Sequence, residues 1–221
     1  MTDDGAAPTR LVLVRHGESA CNVRGVIGGL TGCTGLTELG VHQVETLRDR
    51  WAASGELDGA VALYTSLLPR ARQTAEILRP ALGQPEVIAD CDLCELHPGA
   101  ADGMTWTDFE ETYRIPNWGT EPDRVFSPGG ESWNAFQSRT EVALRALCER
   151  HPGQIVVVAS HGGVISSSVY SFLGVPRRPP GLRLAPVYTA ITEWEGADGH
   201  ARLVRYNDSA HLAAAGVPTS S

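Results

Sequence analysis

Residues 11–22 read LVLVRHGESACN. The unbroken apolar run Leu11–Val14 predicts a strand over 11–15 that is covered on both faces. It leads directly into Arg15 and His16, and Gly17 follows. A guanidinium and an imidazole at the end of a buried strand call for water or an anion beside them. The pattern recurs at Ile155–Ala159, IVVVA, the most apolar stretch of the chain, which leads into Ser160, His161, Gly162 and Gly163.

Working outward, Thr37 predicts the cap of a helix that keeps Val41, Val44, Leu47 and Trp51 at helical spacing. Ala60–Thr65 predicts a second strand. Pro69 suits the first turn of a helix with Ala71, Ala75, Leu78 and Leu82 on one face. Glu86–Ala89 reads as a short third strand. Leu93 to about Gly130 is less regular and carries Trp106, Phe109, Tyr113 and Trp118. A helix over about 131–150 turns Trp133, Phe136, Ala143 and Leu147 inward, and another runs from His161 to about Leu173. Val187–Trp194 and Arg202–Tyr206 read as final strands. Strands alternating with helices predict an α/β fold, a three-layer sandwich with a mostly parallel central sheet and helices on both faces. With no repeat and no linker, 221 residues predict a single domain over 1–221. A cap-like insertion is expected at about 96–130, with loose ends at 1–9 and 213–221.

The formal charge of -8 and the absence of any lysine exclude a general nucleic-acid or membrane-surface binder, which needs a basic face. All eighteen basic residues are arginines, so an anion site must use guanidinium forks, imidazoles or backbone N–H groups. Residues 1–10 lack the apolar core of a signal peptide, and no run of about 18 apolar residues occurs, so the expected location is cytoplasmic. Five cysteines without an export signal argue against a disulfide framework. Cys91 and Cys94 form one C-x-x-C, but no second close pair completes a zinc site, and the cysteines are read as small buried hydrophobes. No metal and no cofactor is expected.

In α/β folds of this kind, ligands bind outside the carboxyl ends of the strands. After the first strand come Arg15, His16, Gly17 and Asn22. After the second come Ser66 and Arg70, after the third Glu95, and after IVVVA come His161, Gly162 and Gly163. Arginines and helix N-termini bind a dianionic phosphate. A neutral imidazole attacks phosphorus, and a carboxylic acid protonates a leaving alkoxide. Each residue alone has an ordinary structural reading; their joint occurrence at strand ends does not. Other phosphate chemistries are absent: no P-loop lysine, no G-x-G-x-x-G, no H-E-x-x-H, and no cysteine with an arginine six residues on.

LVRHGES (13–19) resembles the signature of the histidine phosphatase superfamily, with its phosphoglycerate mutase-like fold. LTELG (36–40), SLLPRARQTAEIL (66–78), LCELHPGAADGMTW (93–106), PGGES (128–132), VVVASHGGVI (156–165) and NDSAHL (207–212) follow in that family's order. The resemblance covers about residue 10 to residue 212. It implies that His16 is the nucleophile that becomes phosphohistidine. Arg15, Arg70 and His161 would clamp the phosphoryl oxygens with help from Asn22 and the backbone at Gly162. Glu95 would start protonated, donate to the leaving group and then serve as base for water. Arg24 is a further candidate for binding a second anionic group on the substrate. The chain is short and lacks the long insert after the Glu95 block that glycolytic mutases carry. The expectation is therefore a phosphomonoesterase acting on a small-molecule phosphate ester. A phosphoglycerate mutase-type phosphotransferase is the alternative, and a silent phosphate-binding module a more distant one. No nucleic-acid or membrane partner is expected, and the chain should be a monomer or a homodimer.

Overall fold

The computed structural model describes residues 7–175, 183–197 and 199–219. Its six-stranded sheet is built from β1 (Thr9–Arg15), β2 (Ala60–Thr65), β3 (Val87–Ala89), β4 (Ile155–Ser160), β5 (Ile191–Ala197) and β6 (His200–Asp208), in the order β3-β2-β4-β1-β5-β6. β3, β2, β4 and β1 run parallel, while β5 pairs antiparallel with both β1 and β6. The helices are α1 (Ala20–Val23), α2 (Glu38–Ser54), α3 (Pro69–Leu78), α4 (Trp106–Thr112), α5 (Trp133–Arg150), α6 (Gly162–Phe172) and α7 (Ala210–Ala215).

The continuous apolar strands are explained by two cores. Leu11 and Leu13 of β1, with Val156 and Val158 of β4, face Phe136, Leu144 and Ile165 of α5 and α6. Val12, Val14, Val157 and Ala159 point the other way, onto Val44, Leu47, Trp51 and Leu78 of α2 and α3. Because strand side chains alternate, LVLV needs an apolar partner on both sides.

Several element bounds differ from the expectation. Val187–Ala190 is a turn, not strand: Thr189 adopts φ +56 and its N–H donates to Arg15 O, so the chain must bend before β5 starts at Ile191. Leu82 lies in a separate 3-10 turn, since Pro80 cannot continue α3. Glu131 precedes α5, because Ser132 caps that helix by accepting from Ala135 N. The irregular stretch contains α4, capped by the Thr105 hydroxyl on Asp108 N. At the expected loose ends, Thr9 is buried in β1, and residues 213–219 are partly pinned: Val217 is buried and Gln43 Nε2 donates to Pro218 O. Residues 1–6 and 220–221 lie outside the described residues.

The cap segment packs on a small core of its own, Ile27, Ala101, Phe109 and Phe126. Phe109 and Phe126 stack at 4.4 Å. Trp106 and Trp118 leave this core on one side and turn toward the carboxyl ends of the strands. No helix among the described residues is long and apolar enough to cross a membrane.

Candidate active site

The register of β1 and β4 places the two histidines. Arg15 pairs with Ser160, so His16 and His161 leave neighbouring parallel strands at the same height, one strand spacing apart. Their rings meet edge to face with centroids 5.2 Å apart. β2 lies on the far side of β4 and delivers Ser66, then Arg70 on the first turn of α3.

The hydrogen bonds fix the state of the His16 ring. Its Nδ1 lies 2.7 Å from the carbonyl oxygen of Gly17, which only accepts, so Nδ1 carries the proton. Arg70 Nε donates to His16 Nε2 at 3.1 Å, so Nε2 carries a lone pair. Arg70 is itself held by Nη1 donating to Gly28 O at 2.7 Å. Burial, then the charges of Arg70 and Arg15, hold His16 well below the ordinary imidazole range. The ring is therefore neutral, as an attacking nitrogen must be.

His161 is completely buried and stands beside His16 rather than in the open wall of the cavity. Its Nε2 lies 2.7 Å from Ser66 Oγ, and that hydroxyl already accepts from Leu68 N. Ser66 keeps a proton that it can donate to Nε2, and in that tautomer the His161 proton sits on Nδ1. Burial and the charge of Arg70 keep this ring below its usual range too. Two buried nitrogens here, His161 Nδ1 and Arg15 Nε, have no protein partner. Buried donors left without an acceptor are rare, and they mark a place where an oxyanion fits. Arg15 otherwise donates to Pro186 O at 2.5 Å, and its guanidinium lies 4.1 Å from the Tyr188 ring centre.

Glu95 enters from the segment after β3. Its Oε2 accepts from Gly163 N at 2.9 Å and its Oε1 from Leu96 N at 3.1 Å. Gly163 leaves room for the Glu95 carboxylate: a Cβ there would stand 2.0 Å from Oε1 and push it aside. Gly17 is required for a similar reason, since its Cβ would lie 2.4 Å from Gly40 O in α2. Arg15, His16, Asn22, Arg70, Glu95 and Gly162 all line one cavity of about 450 Å³. Asn22 accepts from the Ser19 hydroxyl. Arg24 is not among them. Its guanidinium lies on the surface, donating to Ala20 O at 3.2 Å and Thr34 Oγ1 at 2.9 Å.

Contributors without a signal in the sequence are Tyr188, the Gly28 carbonyl and the cavity aromatics Phe126, Trp133 and Tyr170, which join Trp106 and Trp118 of the irregular aromatic stretch. The first two act through a turn and a loop backbone. The aromatics come from separate elements that only the fold brings together.

The profile of the histidine phosphatase superfamily, branch 1, matches residues 11–209, and the chain belongs to that superfamily. The chain is 35% identical over 162 residues to a metal-independent phosphoserine phosphatase of Arabidopsis thaliana, covering 71% of this chain and 66% of that one. It is 32% identical over 161 residues to phosphoglycerate mutase-like protein 4 of the same plant, covering 71% and 68%. The match thus spans about two thirds of either relative's length. Among solved structures, Bacillus stearothermophilus YhfR superposes with a TM-score of 0.79 at 28% identity, over 92% of this chain and 99% of that one.

The buried histidines also set a pH dependence of stability. His16 and His161 lie below their ordinary range, and burial takes His211 to about 4. Above about pH 6.5 neither the folded nor the unfolded chain protonates these rings. Below it, the unfolded chain takes up protons that the folded chain refuses, so stability falls as pH falls. Each ring contributes a slope of roughly 1 kcal/mol per pH unit until its folded value is reached. The urea midpoint should therefore drop steadily from pH 6.5 to 4.5; a flat or rising midpoint would contradict these ring states.

Proposed function

We propose that this chain is a phosphomonoesterase that hydrolyses small phosphate esters through a phosphohistidine on His16. The observation that carries the reading is the state of that ring: Nδ1–H is fixed by Gly17 O, and the Nε2 lone pair is held by Arg70 at the cavity wall. When a phosphoryl group enters, Arg70 Nε donates to an equatorial oxygen instead, and Nε2 is released for in-line attack. Arg15 Nε and His161 Nδ1 supply the further donors, and the N-terminus of α6 at Gly162 faces the same charge. Glu95 protonates the leaving oxygen, then takes the proton from the water that cleaves the phosphohistidine. No step calls for a metal. The name of the Arabidopsis phosphatase agrees with hydrolysis.

The rest of the cavity supports an uncharged, apolar leaving group, ring-bearing ones above all. Among its described residues, the charged and imidazole side chains are Arg15, His16, Arg70 and Glu95, all committed to the phosphoryl group. The remaining wall includes Ile27, Trp106, Trp118, Phe126 and Trp133. Trp106 is 44% exposed, so it has area left to cover a ligand. A leaving group with its own ammonium and carboxylate would find no charged partner beyond those four among the described lining residues, whose other polar side chains are Asn22, Ser166 and Tyr170.

A panel of esters tests this. Aryl phosphates should show higher kcat/KM than phosphoserine or phosphoglycerates. Trp106→Ala should raise KM for the aryl esters about tenfold with little change in kcat, as expected for losing roughly 50–100 Å² of apolar contact. Preference for the charged esters, untouched by Trp106→Ala, would overturn the assignment of the leaving group. The relation to a mutase-like protein gives the competing reading its test. If phosphate passes to an added acceptor alcohol or phosphoglycerate far more often than to water, the chain is a phosphotransferase.

A further inference from the structure

We propose that Cys91, Cys94 and His97 form a zinc-binding site, on the side of the Glu95 segment away from the phosphate cavity. Cys91 and Cys94 lack a second cysteine pair, but a third ligand stands three residues further on, giving C-x-x-C-x-x-H. One ligand atom from each residue lies within 4.8 Å of the others. Cys91 Sγ and His97 Nε2 are 3.7 Å apart. Zn–S bonds of about 2.3 Å and Zn–N bonds of about 2.0–2.1 Å put tetrahedral ligand atoms roughly 3.5–3.8 Å apart. One pair is already at that separation, and the third atom needs a shift of at most about 1 Å to join it.

The surroundings hold these atoms together without an ion. Glu131 Oε2 lies 3.7 Å from His97 Nδ1, which leaves Nε2 facing Cys91. A closing of about 0.8 Å would turn this contact into the carboxylate–histidine hydrogen bond that orients imidazoles on zinc. Glu131 is itself fixed: it accepts from His97 N at 2.9 Å and from Arg139 through Nε at 2.8 Å and Nη2 at 2.7 Å. Arg139 Nη1 then donates to the carbonyls of Cys91, Asp92 and Cys94, clasping the turn that carries both sulfurs. All three ligands line a second cavity of about 270 Å³, and Cys91 is exposed, so an ion can enter and keep a water as its fourth ligand.

Two thiolates and an imidazole select zinc over magnesium or calcium. Binding releases two thiol protons for each ion bound. Glu95 lies between ligands 94 and 97, and it lines both cavities, so an ion here would tie down the segment that presents its carboxyl. The site stands whether or not Glu95 has the catalytic role proposed above.

The test uses full-length protein, reduced with a phosphine, stripped of metal and titrated with Zn²⁺ against a chromophoric chelator, then with Co²⁺. One ion per chain should bind, and the Co²⁺ form should show thiolate-to-cobalt charge transfer and tetrahedral d–d absorption. Cys91→Ser and His97→Ala should each abolish that spectrum and weaken Zn²⁺ binding at least about tenfold, with the circular dichroism unchanged; Glu131→Gln should weaken binding by about 10–100-fold. Cys33→Ser should leave it intact. Absence of the thiolate band, or equal Zn²⁺ binding by Cys91→Ser, would overturn the site, the latter by pointing to the His16–His161 pair instead.

Discussion

His16→Ala is expected to lower kcat by at least about 10⁴-fold on every ester the chain hydrolyses, the scale seen when a covalent nucleophile is removed. The size of the effect follows from what the ring does. In the proposed mechanism His16 Nε2 is the attacking atom, and no other nitrogen with a lone pair held by a donor lines the cavity among the described residues. His161 does not replace it, because its ring is buried, its Nε2 is engaged with Ser66 Oγ, and it does not line the cavity. Water could still attack the bound ester, with Arg15, Arg70 and Glu95 in place, and this leaves a small residual rate. The fold should survive. The substitution removes a neutral ring that accepts from Arg70 and donates to Gly17 O, so the urea midpoint at pH 7 should fall by an amount worth roughly 1–3 kcal/mol while the transition stays cooperative. A variant that keeps a tenth or more of the activity would remove His16 from the mechanism. A variant that loses activity only because it unfolds would be recognised by its midpoint.

Arg70→Ala should cost about 10²–10³-fold in kcat, the range for removing one preorganised donor from a developing negative charge. Arg70 touches both His16, through Nε2, and the cavity-lining loop that carries Gly28, through that residue's carbonyl. Arg70→Lys should recover only part of the loss, since one ammonium cannot donate at both places in the same plane. A second readout separates this from a structural effect. After burial, Arg70 is the largest cause holding His16 below its ordinary range. Removing its charge lets the His16 ring take a proton at higher pH. The acid limb of kcat/KM should therefore move upward in Arg70→Ala. An unchanged limb, with a loss below tenfold, would place Arg70 outside the site.

How far the sequence carries the structure depends on the kind of interaction. LVLV and IVVVA specify strands buried on both faces because no alternating pattern could tolerate so many apolar residues in water. The capping residues Thr37 and Pro69 set the starts of α2 and α3 directly. Arg15, His16, Asn22, Arg70, Glu95 and His161 were readable because chemistry collects at strand ends. The strand order was not: β1 lies between β4 and β5, and nothing local in Arg15 names Ser160 as its partner. Val187–Ala190 looked like strand because its residues suit one; the donation from Thr189 N to Arg15 O overrides that preference. The tail looked loose from its alanines and glycines, yet Gln43, far away in sequence, holds it. Arg24 sits outside the cavity lining because its side chain turns to Ala20 O and Thr34 Oγ1, a direction that its place in the sequence does not reveal.

The claim underlying all of this is that phosphate passes through the His16 ring. Rapid acid-free quenching of the wild-type chain during turnover of a ³²P-labelled aryl phosphate, followed by digestion and mapping, tests it most directly. The label should be acid-labile and alkali-stable, reside in the peptide that contains His16, and be absent from His16→Ala. Full turnover with no labelled peptide, or label on a serine, a cysteine or His161, would contradict it.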